Sequence, residues 1–173
     1  MDENMAGELK YTVFTTDAGW VGILGGAGGL LTITFPRRSE PEAYRLLGDT
    51  IKQATISPRL FADLMERLKA YFRGQQVTFP DKIDLSGATP FQREVWQKTR
   101  LIAYGETRSY AWVANQVGKP KAARAVGQAL GSNPLPIIVP CHRVVASDGN
   151  LGGFSGGIEM KRSLLRLEAA GRG

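Results

Sequence analysis

The sequence predicts an α/β protein, with strands and a helix in the first half and several short helices in the second. Three apolar stretches early in the chain are separated by turn residues, as in a β-meander. Later segments instead place apolar residues at the three- and four-residue spacing of helices. The chain has 173 residues, enough to bury one core or two small ones. We expect two domains, 1–85 and 86–173, with "LSGATP" as the linker.

The predicted strands of the first half are 10–16, 20–24 and 30–35. Residues 18–35 carry no charge and imitate a membrane span, but six glycines keep their hydrophobicity low. We therefore expect a hairpin that turns at "GGAGG". A helix is predicted within "SPRLFADLMERLKAYFRG", residues 57–74, where apolar residues recur at helical spacing. A short strand near 83–85 is expected to close this half.

The predicted helices of the second half lie in "FQREVWQKTRLI", "SYAWVANQVG", "KAARAVGQAL" and "EMKRSLLRLE". Thr89 and Pro90 form an N-terminal capping signal for the first of them. The second and third are joined by a tight turn at Gly118-Lys119-Pro120, which is typical of a helix-turn-helix motif. A plain helical hairpin is the alternative.

The two halves differ in charge. Residues 1–89 carry ten Lys/Arg and eleven Asp/Glu, a net charge of −1, whereas 90–173 carry twelve and five, a net charge of +7. A basic half predicts a polyanionic partner, most often nucleic acid, although a solvated basic surface is the alternative. A single cysteine and a single histidine argue against an intramolecular disulfide and a cysteine–histidine metal site. Since "MDENMAGELK" lacks a signal-peptide pattern, we expect a cytoplasmic protein.

The helix in "KAARAVGQAL" has two smooth faces. The first, Ala122, Val126 and Ala129, suits packing inside the protein. The second has Arg124 and Gln128 beside it and consists of Ala123, Gly127, Leu130 and Gly131. Because such small side chains let a helix approach another surface closely, the second face suits a narrow groove. The minor groove of DNA, about 6 Å wide, is such a groove.

The segment "IIVPCHRVV" holds the only cysteine and the only histidine, Cys141 and His142. A lone cysteine is most often a small buried hydrophobe. Here the adjacent imidazole, the charge of Arg143 and the backbone restriction from Pro140 favour a nucleophile, which must react as a thiolate. In a regular strand, neighbouring side chains face opposite ways. His142 can therefore act on Cys141 only if the chain turns there or a water bridges them.

A working imidazole also needs a carboxylate to fix its tautomer. Glu168 is a candidate because it continues the apolar face of Leu164 and Leu165 in the last predicted helix, where an acid is unusual. A frayed, exposed helix end is the other interpretation of this residue. Glu159 and Asp148, in more polar surroundings, are alternative candidates.

The motifs "GETRSYAWVA", "KAARAVGQALGSNP", "PCHRVV" and "GNLGGFSGG" resemble those of the O6-alkylguanine-DNA alkyltransferases, the methylated-DNA–protein-cysteine methyltransferase family. The resemblance runs from Thr89 to Glu168. It implies a ribonuclease-H-like N-terminal domain and a C-terminal winged helix-turn-helix domain. It also implies double-stranded DNA as the partner, contacted through the minor groove with little sequence preference, and a monomer that needs no cofactor or metal.

The resemblance implies a reaction as well. A guanine alkylated at O6 would be flipped out of the duplex, and its alkyl group would move irreversibly to Cys141. Glu168, His142 and a water would remove the thiol proton. Tyr110 would donate a proton to guanine N3, and Asn133 would be the hinge between the helix pair and the cysteine loop. Because the thioether is stable, each molecule would act once.

The residues that hold the base and the DNA are also implied by the resemblance. The carbonyls of Cys141 and Val144 would accept from the guanine amino group, and Ser155 would lie at O6. Leu130 and Phe154 would flank the base, and many relatives have tyrosine at the latter position. Arg124 would fill the space that the flipped base leaves. The other expected DNA contacts are Ser109, Lys121, Ala123, Gly127 and Gly131.

Three other functions stay open at this point. An alkyltransferase-like protein would bind the lesion without transfer, but such proteins replace the cysteine. A helix-turn-helix regulator would carry out no chemistry, which leaves Cys141 and Glu168 unexplained. A cysteine hydrolase would release its product and turn over. The number of alkyl groups accepted per molecule distinguishes these functions.

Overall fold

The computed structural model describes residues 8–154 and 156–171, and the chain divides between Ser86 and Gly87 into two compact units. The first unit combines a β-sheet with helices, and the second consists mainly of short helices. The chain therefore has a mixed α/β fold. In the described part of the chain, no helix is both long enough and apolar enough to span a membrane.

The first unit is built on a sheet with strand order β3-β2-β1-β4. β1 (Lys10–Thr16), β2 (Gly19–Gly26) and β3 (Gly29–Ile33) pair antiparallel, and β4 (Thr55–Ile56) pairs with β1 in parallel. The predicted meander and hairpin are confirmed. The absence of charge between residues 18 and 35 is consistent with the burial of most of β2.

The hairpin turn also shows why it is rich in glycine. Gly29 has a φ of +122°, and a Cβ there would lie 2.6 Å from the carbonyl oxygen of Lys82. Leu30 donates its N–H to that oxygen at 2.9 Å and accepts from Asp84 N–H at 2.8 Å. The strand predicted near 83–85 is reduced to one isolated bridge between Leu30 and Ile83.

The helices of the first unit differ in part from the prediction. α1 (Glu40–Leu47) was not predicted; Ser39 caps it by accepting the Glu42 N–H. A 3₁₀ turn follows at Asp49–Gln53. α2 (Ala62–Phe72) begins later than expected, because residues 58–61 form turns. Of the apolar residues at the predicted spacing, Leu64, Leu68, Tyr71 and Phe72 are buried in the helix and Phe61 just before it, whereas Leu60 lies in the turn and is 62% exposed.

In the second unit, all four predicted helical segments are helical. They are α3 (Pro90–Thr99), α4 (Tyr110–Gln116), α5 (Ala123–Gly131) and α6 (Ile158–Gly171). A short parallel pair, β5 (Arg108–Ser109) with β6 (Val144–Val145), connects the start of α4 to the chain that follows the cysteine.

α5 packs against both α3 and α4. Thr89 and Gln92 form a reciprocal capping box at the start of α3. Trp96, on the same helix, donates its indole N–H to the Ala129 carbonyl of α5 at 2.8 Å. Val126 and Ala129 are buried, as predicted for the inward face of α5. The face of α5 with Val126 and Ala129 is therefore held against the rest of the unit. The opposite face, with Gly127 and Gly131, is left for another surface.

Candidate active site

Cys141 begins a 3₁₀ turn, Cys141–Arg143, directly after Pro140. Its N–H donates to the Val139 carbonyl at 2.7 Å, and Arg143 N–H donates to the Pro140 carbonyl at 2.9 Å. The chain thus turns at the cysteine, which is one of the two conditions under which His142 can act on it. Cys141 is only 5% exposed.

Asn133 shapes the segment that precedes the cysteine. Its side-chain oxygen accepts from Leu135 N–H at 2.9 Å, and its amide donates to the Val139 carbonyl at 3.0 Å. Between these contacts, Ile137 has a φ of +74°, a left-handed conformation that is strained for a β-branched residue. The side chain predicted as a hinge therefore connects the end of α5 to the cysteine turn.

Behind the cysteine, His142, Arg143 and Glu168 form a buried cluster. His142 Nε2 lies 2.5 Å from Glu168 Oε2. Arg143 donates from Nε to Oε1 at 2.8 Å and from Nη2 to Oε2 at 3.1 Å. Gly105 N–H also donates to Oε1, at 3.1 Å. Glu168 is 1% exposed, so it is not at a frayed helix end.

These contacts decide the charge of Glu168 and His142. Burial alone would raise the pKa of Glu168, but the hydrogen bonds from His142 and Arg143 and the positive charge of Arg143 hold that pKa well below its usual range. Burial lowers the pKa of His142 and outweighs the opposing effect of Glu168. We therefore describe an ionised carboxylate beside a neutral imidazole. An ionised carboxylate only accepts, so Nε2 carries the proton and Nδ1 is the basic nitrogen.

The thiol itself rests in its protonated form. Burial raises the pKa of Cys141, although a hydrogen bond from Asn133 and the positive charge of Lys161 oppose this. A buried thiol with a raised pKa is a poor nucleophile until a base removes its proton. The neutral imidazole of His142, the next residue in the same turn, is a base that can remove this proton.

Cys141 lines a cavity of about 430 Å³, through which a ligand can reach the thiol. Most of the predicted base-binding and DNA-binding residues lie together in its lining. The lining residues are Tyr110, Ala123, Arg124, Gly127, Gln128, Leu130, Gly131, Cys141, Gly153 and Phe154. The Cys141 thiol and the face of α5 with Ala123, Gly127 and Gly131 therefore line the same cavity.

The glycines on this face of α5 are not required by packing within the chain. A Cβ at Gly131 would meet nothing within 4 Å, and one at Gly127 would only touch the Tyr110 ring at 3.8 Å. Arg124 and Gln128 beside them are exposed. The side chains of Arg124 and Gln128 and the backbone at Gly131 are therefore accessible, whereas Leu130, predicted on the same face, is only 5% exposed.

Tyr110, the first residue of α4, projects its phenol towards the segment before Phe154. The hydroxyl donates to the Gly153 carbonyl at 3.3 Å and accepts from Lys161 Nζ at 3.4 Å. Burial raises the pKa of Tyr110. The phenol is therefore protonated and able to donate.

Among the predicted base- and DNA-binding residues that the structure describes, Ser109, Lys121 and Val144 do not line this cavity. Ser109 caps α4 by accepting the Trp112 N–H at 2.9 Å, and Lys121 is exposed just before α5. Val144 is buried, and its carbonyl accepts from Lys161 Nζ at 2.7 Å. Ser155 lies outside the described residues.

Two roles were missed by the sequence reasoning. Arg143 was noted only as a nearby positive charge, yet it holds both oxygens of Glu168. Lys161 was not considered, yet it is fully buried. The available signal was helical spacing, because Lys161, Leu164 and Glu168 lie three and seven residues apart and share one face of α6.

A mixed α/β fold with a buried cysteine, a histidine–carboxylate pair and an adjoining cavity is typical of proteins that use cysteine as a nucleophile. Residues 90–170 match the family model described as "6-O-methylguanine DNA methyltransferase, DNA binding domain". A methylated-DNA–protein-cysteine methyltransferase of Methanosarcina acetivorans is 35% identical over 166 residues, 94% of this chain and 99% of the relative. One of Mycolicibacterium paratuberculosis is 52% identical over 114 residues, 66% of this chain and 68% of the relative.

A solved structure agrees with these relatives. The crystal structure of Mycobacterium tuberculosis OGT in complex with DNA has a TM-score of 0.79 and 39% identity, and the match covers 93% of each chain. The chain therefore belongs to the methylated-DNA–protein-cysteine methyltransferase family, and the resemblance carried by "PCHRVV" and its companion motifs is confirmed.

Proposed function

We propose that the chain repairs DNA by transferring an alkyl group from O6 of a damaged guanine to Sγ of Cys141. The observation that carries this proposal is a single thiol in the same cavity as the smooth face of α5. Family membership, and a fold shared with a protein solved in complex with DNA, support alkylated double-stranded DNA as the substrate.

The first half of the chemistry makes the thiolate. The thiol proton passes through a water to Nδ1 of His142, while Glu168 remains ionised and stabilises the imidazolium. The sulfur then forms an S–C bond as the C–O6 bond breaks. Since Cys141 is the only cysteine, no second thiol resolves the thioether, and each molecule acts once.

The second half of the chemistry is proton return. Guanine departs more easily if N3 gains a proton as O6 loses its alkyl group, and Tyr110 is the donor that lines the cavity. The imidazolium of His142 then returns a proton to the phenolate through solvent. In sum, guanine exchanges one alkyl group for one proton.

DNA binding is assigned to the basic second half. The small residues of α5 would enter the minor groove, and Arg124 at the cavity would occupy the space of the flipped nucleotide. Lys121 and Ser109 would lie against the backbone. Contacts of this kind depend on phosphates and hardly on base sequence. Leu130 and Phe154 would flank the flipped base, and Val144 and Ser155 would lie at its edge.

The finer description of the fold belongs to the same proposal. We assign residues 1–85 to a ribonuclease-H-like domain and 86–173 to a winged helix-turn-helix domain, in which α4 and α5 form the helix pair. The division of the chain after Ser86 supports this assignment. A cytoplasmic location follows from a DNA substrate and a thiol that must stay reduced.

Mass spectrometry tests the proposal directly. After incubation with a duplex that contains one O6-methylguanine, the peptide with Cys141 should carry one methyl group, and Cys141→Ser should carry none. Repeated turnover by one molecule would instead identify a hydrolase. Binding to the lesion without any transfer would identify a lesion-binding protein.

A further inference from the structure

We propose that Lys161 is a positioning residue, which holds the phenol of Tyr110 and the segment Leu151–Gly153 in the geometry needed to protonate the departing guanine. This inference rests on the proposed function and adds a role that the transfer mechanism does not use. We call the contacts of its ammonium group the Lys161 cluster: the carbonyl oxygens of Val144, Leu151 and Gly153 and the phenol oxygen of Tyr110.

The Lys161 cluster ties three separate parts of the second unit together. Lys161 projects from α6 and donates to the Val144 carbonyl of β6 at 2.7 Å. It also donates to the Leu151 carbonyl, and to the Gly153 carbonyl at 3.4 Å. The phenol oxygen of Tyr110, in α4, also lies 3.4 Å from Nζ, and because an ammonium group has only three N–H donors it shares one of them with the Gly153 carbonyl. One side chain therefore fixes the tyrosine relative to the segment that leads to the cavity.

A buried lysine needs compensating interactions, because removing an ammonium group from water is unfavourable. Lys161 is 0% exposed, and burial lowers its pKa to about 8. It is therefore mostly charged at neutral pH. Its Nζ also lies 5.8 Å from the ring centre of Phe154, within the range of cation–π attraction.

Gly152 provides an independent sign that the phenol position is set from this side. Gly152 has a φ of +73°, and a Cβ there would lie 2.7 Å from the Tyr110 hydroxyl oxygen and 2.9 Å from its ring. The opposite side of the ring faces Gly127, where a Cβ would lie 3.8 Å away. The phenol thus fits between two backbone segments, and Lys161 anchors one of them.

The direction of the hydrogen bonds explains how this arrangement assists the reaction. Lys161 donates to the phenol oxygen, so the phenol's own proton points elsewhere, towards Gly153 in this structure. When the proton moves to guanine, negative charge develops on an oxygen that already accepts from an ammonium group. Such a donor stabilises the developing phenolate.

The experiment compares two reactions of the same thiol. Transfer from an O6-methylguanine duplex needs protonation of the leaving guanine, whereas alkylation of Cys141 by iodoacetamide releases iodide, which needs no proton. Because the charge of Lys161 also lowers the pKa of Cys141, Lys161→Met should slow both reactions, but it should lower the saturating transfer rate by about tenfold more than the iodoacetamide rate. In a Tyr110→Phe background, Lys161→Met should lower the two rates by the same factor to within about twofold.

Gly152→Ala provides a second test if Lys161→Met does not fold. It should displace the phenol and show the same difference between the two reactions. Gly149→Ala is its matched control, because Gly149 also has a positive φ, +88°, but a Cβ there meets nothing within 4 Å. The control should change neither rate by more than about twofold.

Three results would overturn the inference. Equal losses in both reactions would mean that Lys161 acts on the thiol or on the fold. A difference between the two reactions that persists in the Tyr110→Phe background would mean that it does not act through Tyr110. Unchanged transfer in Lys161→Met and Gly152→Ala would remove the role altogether. A wild-type protein that reacts with iodoacetamide but never accepts methyl from DNA would instead contradict the proposed function.

Discussion

Each unit of the chain contains an arginine that holds both oxygens of one carboxylate. In the first unit, Arg67 donates to the two oxygens of Asp81 at 2.7 and 2.8 Å. In the second, Arg143 donates to the two oxygens of Glu168 at 2.8 and 3.1 Å. Both pairs are forks, hydrogen-bonded at two points, end-on through Nη1 and Nη2 of Arg67 and side-on through Nε and Nη2 of Arg143, but their surroundings differ.

Exposure separates the two forks. The side chains of Arg67 and Asp81 are 23% and 17% exposed, and Arg67 also pairs with the exposed Asp63. Those of Arg143 and Glu168 are 9% and 1% exposed, and Glu168 also contacts the buried His142. The first fork is only partly buried and is partly screened by water, so we expect it to contribute less to stability than the second. The second fork keeps the charged carboxylate of Glu168 inside the protein, next to the imidazole of His142. This arrangement allows the imidazole to act as a general base.

The largest difference is expected when each arginine is replaced by methionine. Arg143→Met leaves Glu168 buried without its main compensating charge, and should cost about 3–5 kcal/mol of unfolding free energy. It should also abolish detectable transfer. Arg67→Met should cost about 1 kcal/mol or less and leave transfer unchanged. Urea unfolding and single-turnover kinetics measure both; equal costs for the two variants would contradict the comparison.

A smaller effect is expected from the carboxylates. Glu168→Gln keeps the shape but removes the charge that stabilises the imidazolium, so saturating transfer should fall by about 10²-fold. Affinity for duplex DNA should hardly change, because Glu168 is buried away from solvent. Asp81→Asn is the matched control and should leave the rate intact. If affinity and rate fall together in Glu168→Gln, the residue is structural.

The third comparison concerns exposed arginines. Arg124→Ala should slow transfer from duplex DNA by about tenfold at saturation, equal to about 1.4 kcal/mol, because extrusion of the base becomes costlier. Reaction with free O6-benzylguanine, which requires no flipping, should hardly change. Arg59→Ala, an exposed arginine of the first unit, is the control and should change neither rate.

Other outcomes for Arg124 have definite meanings. Weaker binding that more DNA overcomes, with a shallower salt dependence, would indicate a phosphate contact only. Equal losses on duplex and free base would indicate a role in the fold or the cavity. Either result removes the proposed intercalating role.

The smallest expected effect is on stability as pH changes. His142 is the only histidine, and burial lowers its pKa in the folded protein. The unfolded chain therefore binds a proton near pH 6.5 more readily than the folded chain does, and stability should decrease as pH falls through this window. Urea unfolding at pH 7.5 and 5.5 measures the decrease. His142→Asn should reduce the slope, and an unchanged slope would contradict the assignment.

The fold was predictable where local pattern and packing agree. β1 coincides with the predicted strand 10–16, and the helices of the second unit lie in the predicted segments. α1 was missed because "EPEAYRLL" is short and buries only Ala43 and Leu47. The start of α2 was misplaced because Ser57-Pro58 looks like a helix start, whereas the residues after it form turns.

The site was predictable where one stretch of sequence contains the chemistry. Cys141 and His142 are adjacent. Glu168 was predictable because it is an acid on a helix face of leucines. The fork with Arg143 depends on residues 25 positions apart, which no local pattern reveals. Lys161 was overlooked because a buried lysine contradicts the usual distribution of charged residues. The left-handed backbone of Ile137 has no signal in the sequence, since β-branched residues rarely adopt it.

The glycines of α5 have a consequence for the evolution of this protein. Alanine at Gly127 would meet only an ordinary contact with Tyr110, and glycine inside a helix costs about 0.5–1 kcal/mol relative to alanine. α5 is thus less stable with glycine at position 127 than it would be with alanine. Selection for heat resistance alone should favour Gly127→Ala, and the added methyl group should obstruct a close-fitting groove. Thermal tolerance and repair capacity would then oppose each other at a single codon.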